Sequence, residues 1–156
     1  MNPRALGTLT LGDVRMNSRQ LLDSMLKTVQ MGQIGIRSAL KASMKQELRS
    51  ELQSQLAEYD SIERQAHELA TSRGWEMRDL DPALKGMANA MTRARLAFGN
   101  NNSKIAAMMI QGNTRGMILG YKNLHKHTGS DGIVCTLSQK LLDCEIANIR
   151  NMQGFL

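Results

Sequence analysis

Apolar side chains recur every three to four residues along most of this chain, which is the spacing of one face of an α-helix. Leu22, Val29 and Ile36 follow this spacing in the first part of the sequence, and Leu48 and Leu56 belong to a second stripe. Short polar or glycine-containing segments separate the stripes. The pattern therefore predicts five helices, near residues 14–42, 46–73, 82–98, 103–126 and 131–153.

Residues with capping side chains mark the starts of these helices. Asp13 or Asn17 is suited to cap the first helix, because a short polar side chain accepts a hydrogen bond from a free backbone N–H. Ser43, followed three residues later by Gln46, has the spacing of a capping box for the second helix. The segment GNNNS offers an asparagine or its serine as the cap of the fourth helix.

The order of the helices indicates a bundle with a long crossover. The first two helices are joined by a very short connection, so we expect them to lie antiparallel. The crossover contains the short helix at 82–98, and a second pair of helices follows it. A single bent helix over 82–126 is the alternative, because GNNNS could bend a helix rather than end it. We expect an N-terminal arm at 1–13 and one helical domain at 14–156.

The composition favours a soluble, all-α protein. Of the 156 residues, 42% are hydrophobic and 22% are charged, whereas aromatic residues make up 3%, so strand-favouring side chains are scarce. No apolar run reaches the roughly 18–20 residues that cross a bilayer, so no membrane association is expected. The N-terminal sequence is also a poor signal peptide. Cys135 and Cys144 lie too far apart on one helix for a disulfide, and unpaired thiols predict the cytoplasm.

The last helix carries polar residues on a face that should be apolar. Leu141, Glu145, Asn148 and Met152 share one side of a helix, with Glu145 and Asn148 in a Glu-x-x-Asn spacing. Carboxylate-bridged di-metal bundles use Glu-x-x-His at this spacing. The alternative is a slightly rotated interior stripe that leaves Glu145 at its rim. That stripe consists of Val134, Leu137, Leu141 and Cys144.

Two sequence segments and the order of the helices carry a resemblance to a known family. KIAAMMIQGNTRGM and LSQKLLDCEIANIRNMQGFL resemble segments of small bacterial ferritin-like proteins. The resemblance covers roughly residues 14–153. It implies a ferritin-like antiparallel four-helix bundle, with an additional short helix in the crossover.

The resemblance also implies where metal ligands would lie. A di-iron member of that group takes one Glu from each of two helices and a Glu-x-x-His pair from each of the other two. At plausible positions this chain offers Glu63, His67 and Glu145, although His67 follows Glu63 by four residues and not by three. Two carboxylates and one imidazole are too few for two bridged iron ions, so the di-iron site is expected to be lost. A mononuclear iron or zinc site on these three residues is the alternative, and no other cofactor is expected.

The remaining inner positions carry neutral amides, which are weak metal ligands. These residues are Gln30, Gln111 and Asn148. Because buried polar groups need hydrogen-bond partners, we expect these amides to satisfy the buried carboxylates.

Positive charge is concentrated in residues 82–130, a stretch that contains no Asp or Glu. Contacts to a polyanion such as nucleic acid would use these cations, with an affinity that falls steeply as salt is added. Aromatic residues for base stacking are scarce, so nucleic acid is not the favoured partner. The basic side chains are Lys85, Arg93, Arg95, Lys104, Arg115, Lys122 and Lys126.

Three glycines in the same segment lie four residues apart, at Gly112, Gly116 and Gly120. Each costs a helix about 0.5–1 kcal/mol relative to alanine. Three in register indicate that another backbone or a bulky side chain approaches this face closely.

The sequence favours a non-catalytic ferritin-like protein that acts through self-association or partner binding. The crossover supplies more apolar surface than the core stripes need, so we expect a homo-oligomer, most simply a dimer. The side chains concerned are Trp75, Met87, Met91 and Phe98. One alternative function is an iron-binding ferroxidase or peroxide-handling protein. The other is a nucleic-acid-associated stress protein that uses the basic segment 82–130.

Overall fold

The computed structural model describes residues 15–97 and 101–156, without the side chains at positions 87, 91, 92 and 94–97. The expected all-α class is confirmed, because this part of the chain forms helices and contains no strand. The helices are α1 (Ser18–Ala39), α2 (Gln46–Ser72), α3 (Pro82–Ala97), α4 (Asn102–Lys126) and α5 (Gly132–Gln153). Over the described ranges, none of them is long and apolar enough to span a membrane.

Several predictions fall outside the described residues. They concern the N-terminal arm at 1–13, the possible cap Asp13, Phe98, and the side chains of Met87, Met91 and Arg95. Trp75 is described, and it is half-buried against the core with the Arg73 guanidinium 5.1 Å from the centre of its ring. Part of the Trp75 side chain is therefore buried by contacts within the chain itself.

The first and fourth helices begin at polar caps, and the second does not. Asn17 caps α1 in a reciprocal capping box with Gln20. Asn101 accepts a hydrogen bond from the backbone of Lys104 at 2.7 Å, so α4 starts anew after α3. The alternative of one continuous helix over 82–126 is therefore wrong. The capping box predicted from Ser43 is also wrong, because α2 begins after Lys45 without a side-chain cap.

The connection between α1 and α2 is closed by one arginine instead. Arg49, on the first turn of α2, donates hydrogen bonds to the backbone carbonyls of Leu40 at 2.9 Å and Ala42 at 3.0 Å. These carbonyls follow the end of α1 and lack helical partners. The guanidinium therefore holds the connection between α1 and α2 against the first turn of α2.

Polar contacts show the direction of α1 relative to α4. The Asn123 amide, near the end of α4, donates to the Ser24 hydroxyl near the start of α1 at 2.7 Å. Beyond that contact, Met16 exchanges backbone hydrogen bonds with Lys126 at 2.8 Å and Thr128 at 3.0 Å. The start of α1 thus lies beside the end of α4, and the two helices run in opposite directions.

The α2 and α5 helices also run in opposite directions. Lys140, early in α5, contacts Gln65 late in α2 at 3.3 Å. Asn151, at the end of α5, donates to Glu51 at the start of α2 at 2.9 Å. Helix α3 packs against α1, where the Ser38 hydroxyl lies 2.5 Å from the side-chain oxygen of Asn89.

The core lies between α1, α2, α4 and α5. Fully buried apolar side chains come from all four helices and follow the predicted stripes, which removes their surface from water. Examples are Leu22, Leu52, Ile62, Ile105 and Met152. Helix α5 is buried on two sides, because it contacts α1, α2 and α4. This arrangement brings both of its candidate interior stripes into the protein.

Candidate ligand-binding site

A pocket of about 580 Å³ opens between α1, α3 and α4. Its described walls are mainly apolar, and glycines on α1 and α4 leave the space unfilled. Gly112 lines the pocket, and a Cβ placed on it would meet nothing within 4 Å. Members of the wall include Met31, Ile34, Leu84, Met108 and Leu119. We call this space the Glu145 pocket, after the one carboxylate among its described lining residues.

Glu145 reaches the pocket from α5 and is 2% exposed. Its carboxylate lies against Gly116 of α4, where any Cβ would overlap it. The carboxylate atom Oε2 is buried and has no hydrogen-bond partner. The sequence predicted two alternative interior stripes on α5, one that buries Glu145 and one that leaves it at the rim. Cys144 and Glu145 are both buried, so residues of both stripes lie inside the protein. Glu145 is not at the rim.

Burial controls the protonation of Glu145. Removal of the carboxylate from water raises its pKa from 4.5 to about 8. An unpaired charge in apolar surroundings is costly, so the neutral acid predominates at pH 7. The site thus holds a carboxyl group that can be ionised at modest cost if a suitable partner arrives.

Beside Glu145, a hydrogen-bonded chain joins α2, α4 and α5. The Tyr59 hydroxyl donates to Asn113 Oδ1 at 2.9 Å, and the Asn148 amide donates to the same oxygen at 3.3 Å. The Asn113 amide in turn donates to the backbone carbonyl of Met109 at 2.8 Å. Burial and the nearby Glu145 carboxylate raise the pKa of Tyr59, so its hydroxyl stays protonated. The chain satisfies its own members and leaves Glu145 Oε2 unpartnered.

No protein-family model, curated protein or solved structure matches this chain. The ferritin-like resemblance stays a hypothesis based on the segments and the helix order described above.

Of the predicted metal ligands, Glu63 and His67 lie on α2 and Glu145 lies on α5. Glu63 and His67 are partly exposed neighbours on α2, with 3.7 Å between His67 Nε2 and Glu63 Oε1. Glu63 is contacted by the side-chain amide of Gln33, which also donates to Asp60 at 2.8 Å. No hydrogen bond within the described residues joins either side chain to Glu145. Nor does this part of the chain bring together three or more His, Cys, Asp or Glu side chains that could hold a metal ion.

The three predicted amides have three different environments. Gln30 donates to Asp79 at 3.0 Å and accepts from the backbone of Leu80 at 3.1 Å, so it anchors the crossover to α1. Gln111 is exposed on α4, and the buried amide of that turn is Asn113. Asn148 is buried in the chain of Tyr59 and Asn113.

The predicted basic residues differ in their solvent exposure. Arg93, Arg115 and Lys122 are exposed, and Arg115 also lines the Glu145 pocket. Half-buried members are Lys85, Lys104 and Lys126, whereas the side chain of Arg95 lies outside the described residues. The possibility that these cations contact nucleic acid stays a prediction.

Sequence reasoning missed two relationships at these sites. The contact between Gly116 and Glu145 was signalled only by the glycine series, which indicated a close approach without naming the partner. The second relationship is a chain in which His127 Nε2 lies 2.9 Å from the Ser18 hydroxyl and Nδ1 lies 3.4 Å from Cys135 Sγ. The described cavities do not include Cys135 among their lining residues. This second chain ties the start of α1, through His127, to the first turn of α5.

Proposed function

We propose that this protein is a non-catalytic, ferritin-like helical bundle that binds a small molecule in the Glu145 pocket. The observation that carries the proposal is the buried and unpartnered Oε2 of Glu145. In a mainly apolar pocket, one polar atom without a partner is a feature of a site that a ligand completes.

The energetics support a ligand at this position. A buried polar atom without a hydrogen bond destabilises a fold by about 1–3 kcal/mol. A donor group on a ligand would remove that cost, and an apolar ligand body would cover the walls formed by Met31, Leu84 and Leu119. The volume of about 580 Å³ falls within the range of roughly 300–1,000 Å³ that is usual for small-molecule sites.

The ferritin-like part of the proposal is supported by helix order and direction. Helices α1 and α4 run in opposite directions, as do α2 and α5, and the crossover between the two pairs contains the short helix α3. The Glu-x-x-Asn spacing at Glu145 and Asn148 suits a bundle whose di-iron site was lost.

Direct binding of a neutral apolar dye tests the function. N-phenyl-1-naphthylamine should bind the parent protein in a 1:1 complex with increased fluorescence. Gly112→Leu projects a side chain into the pocket, since Gly112 has open space before it, and should weaken binding at least tenfold.

The matched control is Gly86→Leu. Gly86 also lies within a helix and has open space before it, but it does not line the pocket. Dye binding should be unchanged in this variant. Equal dye affinity in the parent, Gly112→Leu and Gly86→Leu proteins, or no 1:1 binding at all, would contradict the proposed function.

A further inference from the structure

The Glu145 pocket combines mainly apolar walls with one acidic group. Glu145 is the sole carboxylate among the described lining residues of a pocket with predominantly aliphatic and methionine walls, and its Oε2 is buried without a hydrogen-bond partner. An ionised carboxylate accepts hydrogen bonds and donates none. A ligand that satisfies it must bring a hydrogen-bond donor, and a charged donor satisfies it best.

We propose that the ligand is an amphipathic amine, with an apolar body in the pocket and a protonated nitrogen that donates to the carboxylate of Glu145. This inference rests on the proposed function, because it names the ligand class of the same site. An ammonium group provides both a positive charge and several N–H donors. An alcohol supplies one uncharged donor, and a carboxylate would repel ionised Glu145.

The other charged and titratable groups around the pocket are compatible with this ligand. On α1, Lys27 lines the wall but is paired with Asp23 at 2.8 Å. On α4, Arg115 is exposed to solvent, which screens its charge. From α2, the neutral Tyr59 hydroxyl is engaged with Asn113.

Other described groups near the pocket, on α5 and α3, carry no charge at neutral pH. On α5, burial raises the pKa of Cys144 to about 12, so its thiol stays neutral. The described lining residues of α3 are Leu84 and Ala88, which do not titrate. Glu145 is thus the described group at the pocket floor that changes charge near neutral pH.

Amine binding should therefore be coupled to proton release. At pH 7 the pocket carboxyl is mainly neutral, and formation of the ion pair requires it to ionise. Affinity for an amine should rise by up to tenfold per pH unit below pH 8 and level off above it. Calorimetry at pH 7 in two buffers of different ionisation enthalpy should detect the release of nearly one proton per amine bound.

A series of ligands with one alkyl chain tests the ligand class. Calorimetry at pH 8 should give at least tenfold tighter binding for n-octylamine than for n-octanol, and no measurable binding for octanoate. In Glu145→Gln, which keeps the shape of the side chain, the preference for the amine over the alcohol should disappear. Circular dichroism and a urea melt check that this variant is folded.

The results separate the two proposals. If the dye binds the parent protein in the pocket but octylamine and octanol bind equally well, the amine inference is overturned and the proposed function stands. The same conclusion follows if Glu145→Gln keeps the full preference for octylamine. If neither the dye nor any member of the series binds, both proposals are overturned.

Discussion

Gly116 of α4 provides the space that the carboxylate of Glu145 occupies on α5. The two residues lie on antiparallel neighbours, and a side chain at position 116 would overlap the carboxylate. A helix that contains glycine at this position loses some intrinsic stability. The close approach of Glu145 is the physical reason for glycine here.

Gly116→Ala should therefore destabilise the protein by about 1–3 kcal/mol, because overpacking outweighs the gain in helix propensity. Gly112→Ala is the matched control on the same helix. It meets no atom within 4 Å and should stabilise the protein by about 0.5–1 kcal/mol. Urea denaturation measures both values, and equal changes in the two variants would contradict the proposed packing.

The pH dependence of stability should report the burial of Glu145. Its pKa is raised from 4.5 to about 8 in the folded protein, so between these values the folded state binds more protons than the unfolded state. The free energy of unfolding should fall as pH rises through this window, by up to about 1.4 kcal/mol per unit, and level off above pH 8.

Glu145→Gln should remove this contribution to the slope. The variant should be close to the parent in stability near pH 4.5 and more stable than the parent at pH 8–9, because it holds no carboxylate that must ionise. Urea melts of both proteins across the pH range provide the measurement. Parallel pH profiles for the two proteins would show that the burial of Glu145 does not control this effect.

Tyr59→Phe should test the hydrogen-bonded chain beside the pocket. The substitution removes the donor to Asn113 and should cost about 0.5–1.5 kcal/mol in the free energy of unfolding. Tyr121→Phe is the control, since Tyr121 is 44% exposed and should tolerate the change with no measurable effect. A loss of equal size at both positions would argue against a special role for the chain.

Metal binding is tested by thermal melts with and without Zn²⁺ or Fe²⁺. We expect no upward shift in the melting temperature of the parent protein, because Glu63 and His67 are partly exposed on α2 whereas Glu145 is buried beneath the pocket. A ligand that binds the folded state would raise the melting temperature. An upward shift that disappears in Glu145→Gln would contradict this expectation and support the mononuclear iron or zinc site.

Self-association is tested by light scattering. Ile118 and Tyr121 are 46% and 44% exposed, and their spacing of three residues on α4 places them on one face. We expect a dimer at micromolar concentration that Ile118→Glu shifts toward the monomer. Ile133→Glu, at another exposed position at the start of α5, is the control and should leave the mass unchanged. A monomeric parent protein would contradict this prediction.

Local sequence patterns determined the class and order of the elements. The spacing of Leu22, Val29 and Ile36 predicted one buried face, and all three side chains are buried. Asn17 was predicted as a possible cap and serves as one. These features depend on residues within a few turns of each other, because backbone hydrogen bonds and caps in a helix are local.

The tertiary structure alone decided which side chains meet. Gln111 and Asn113 are only two residues apart on α4, yet one is exposed and the other joins Tyr59 in the interior. Similarly, Gly112 faces open space whereas Gly116 meets Glu145. Helical periodicity gives the angular spacing of side chains, but the rotation of each helix depends on contacts with helices distant in sequence. Those contacts placed a lone carboxyl group at the bottom of a pocket.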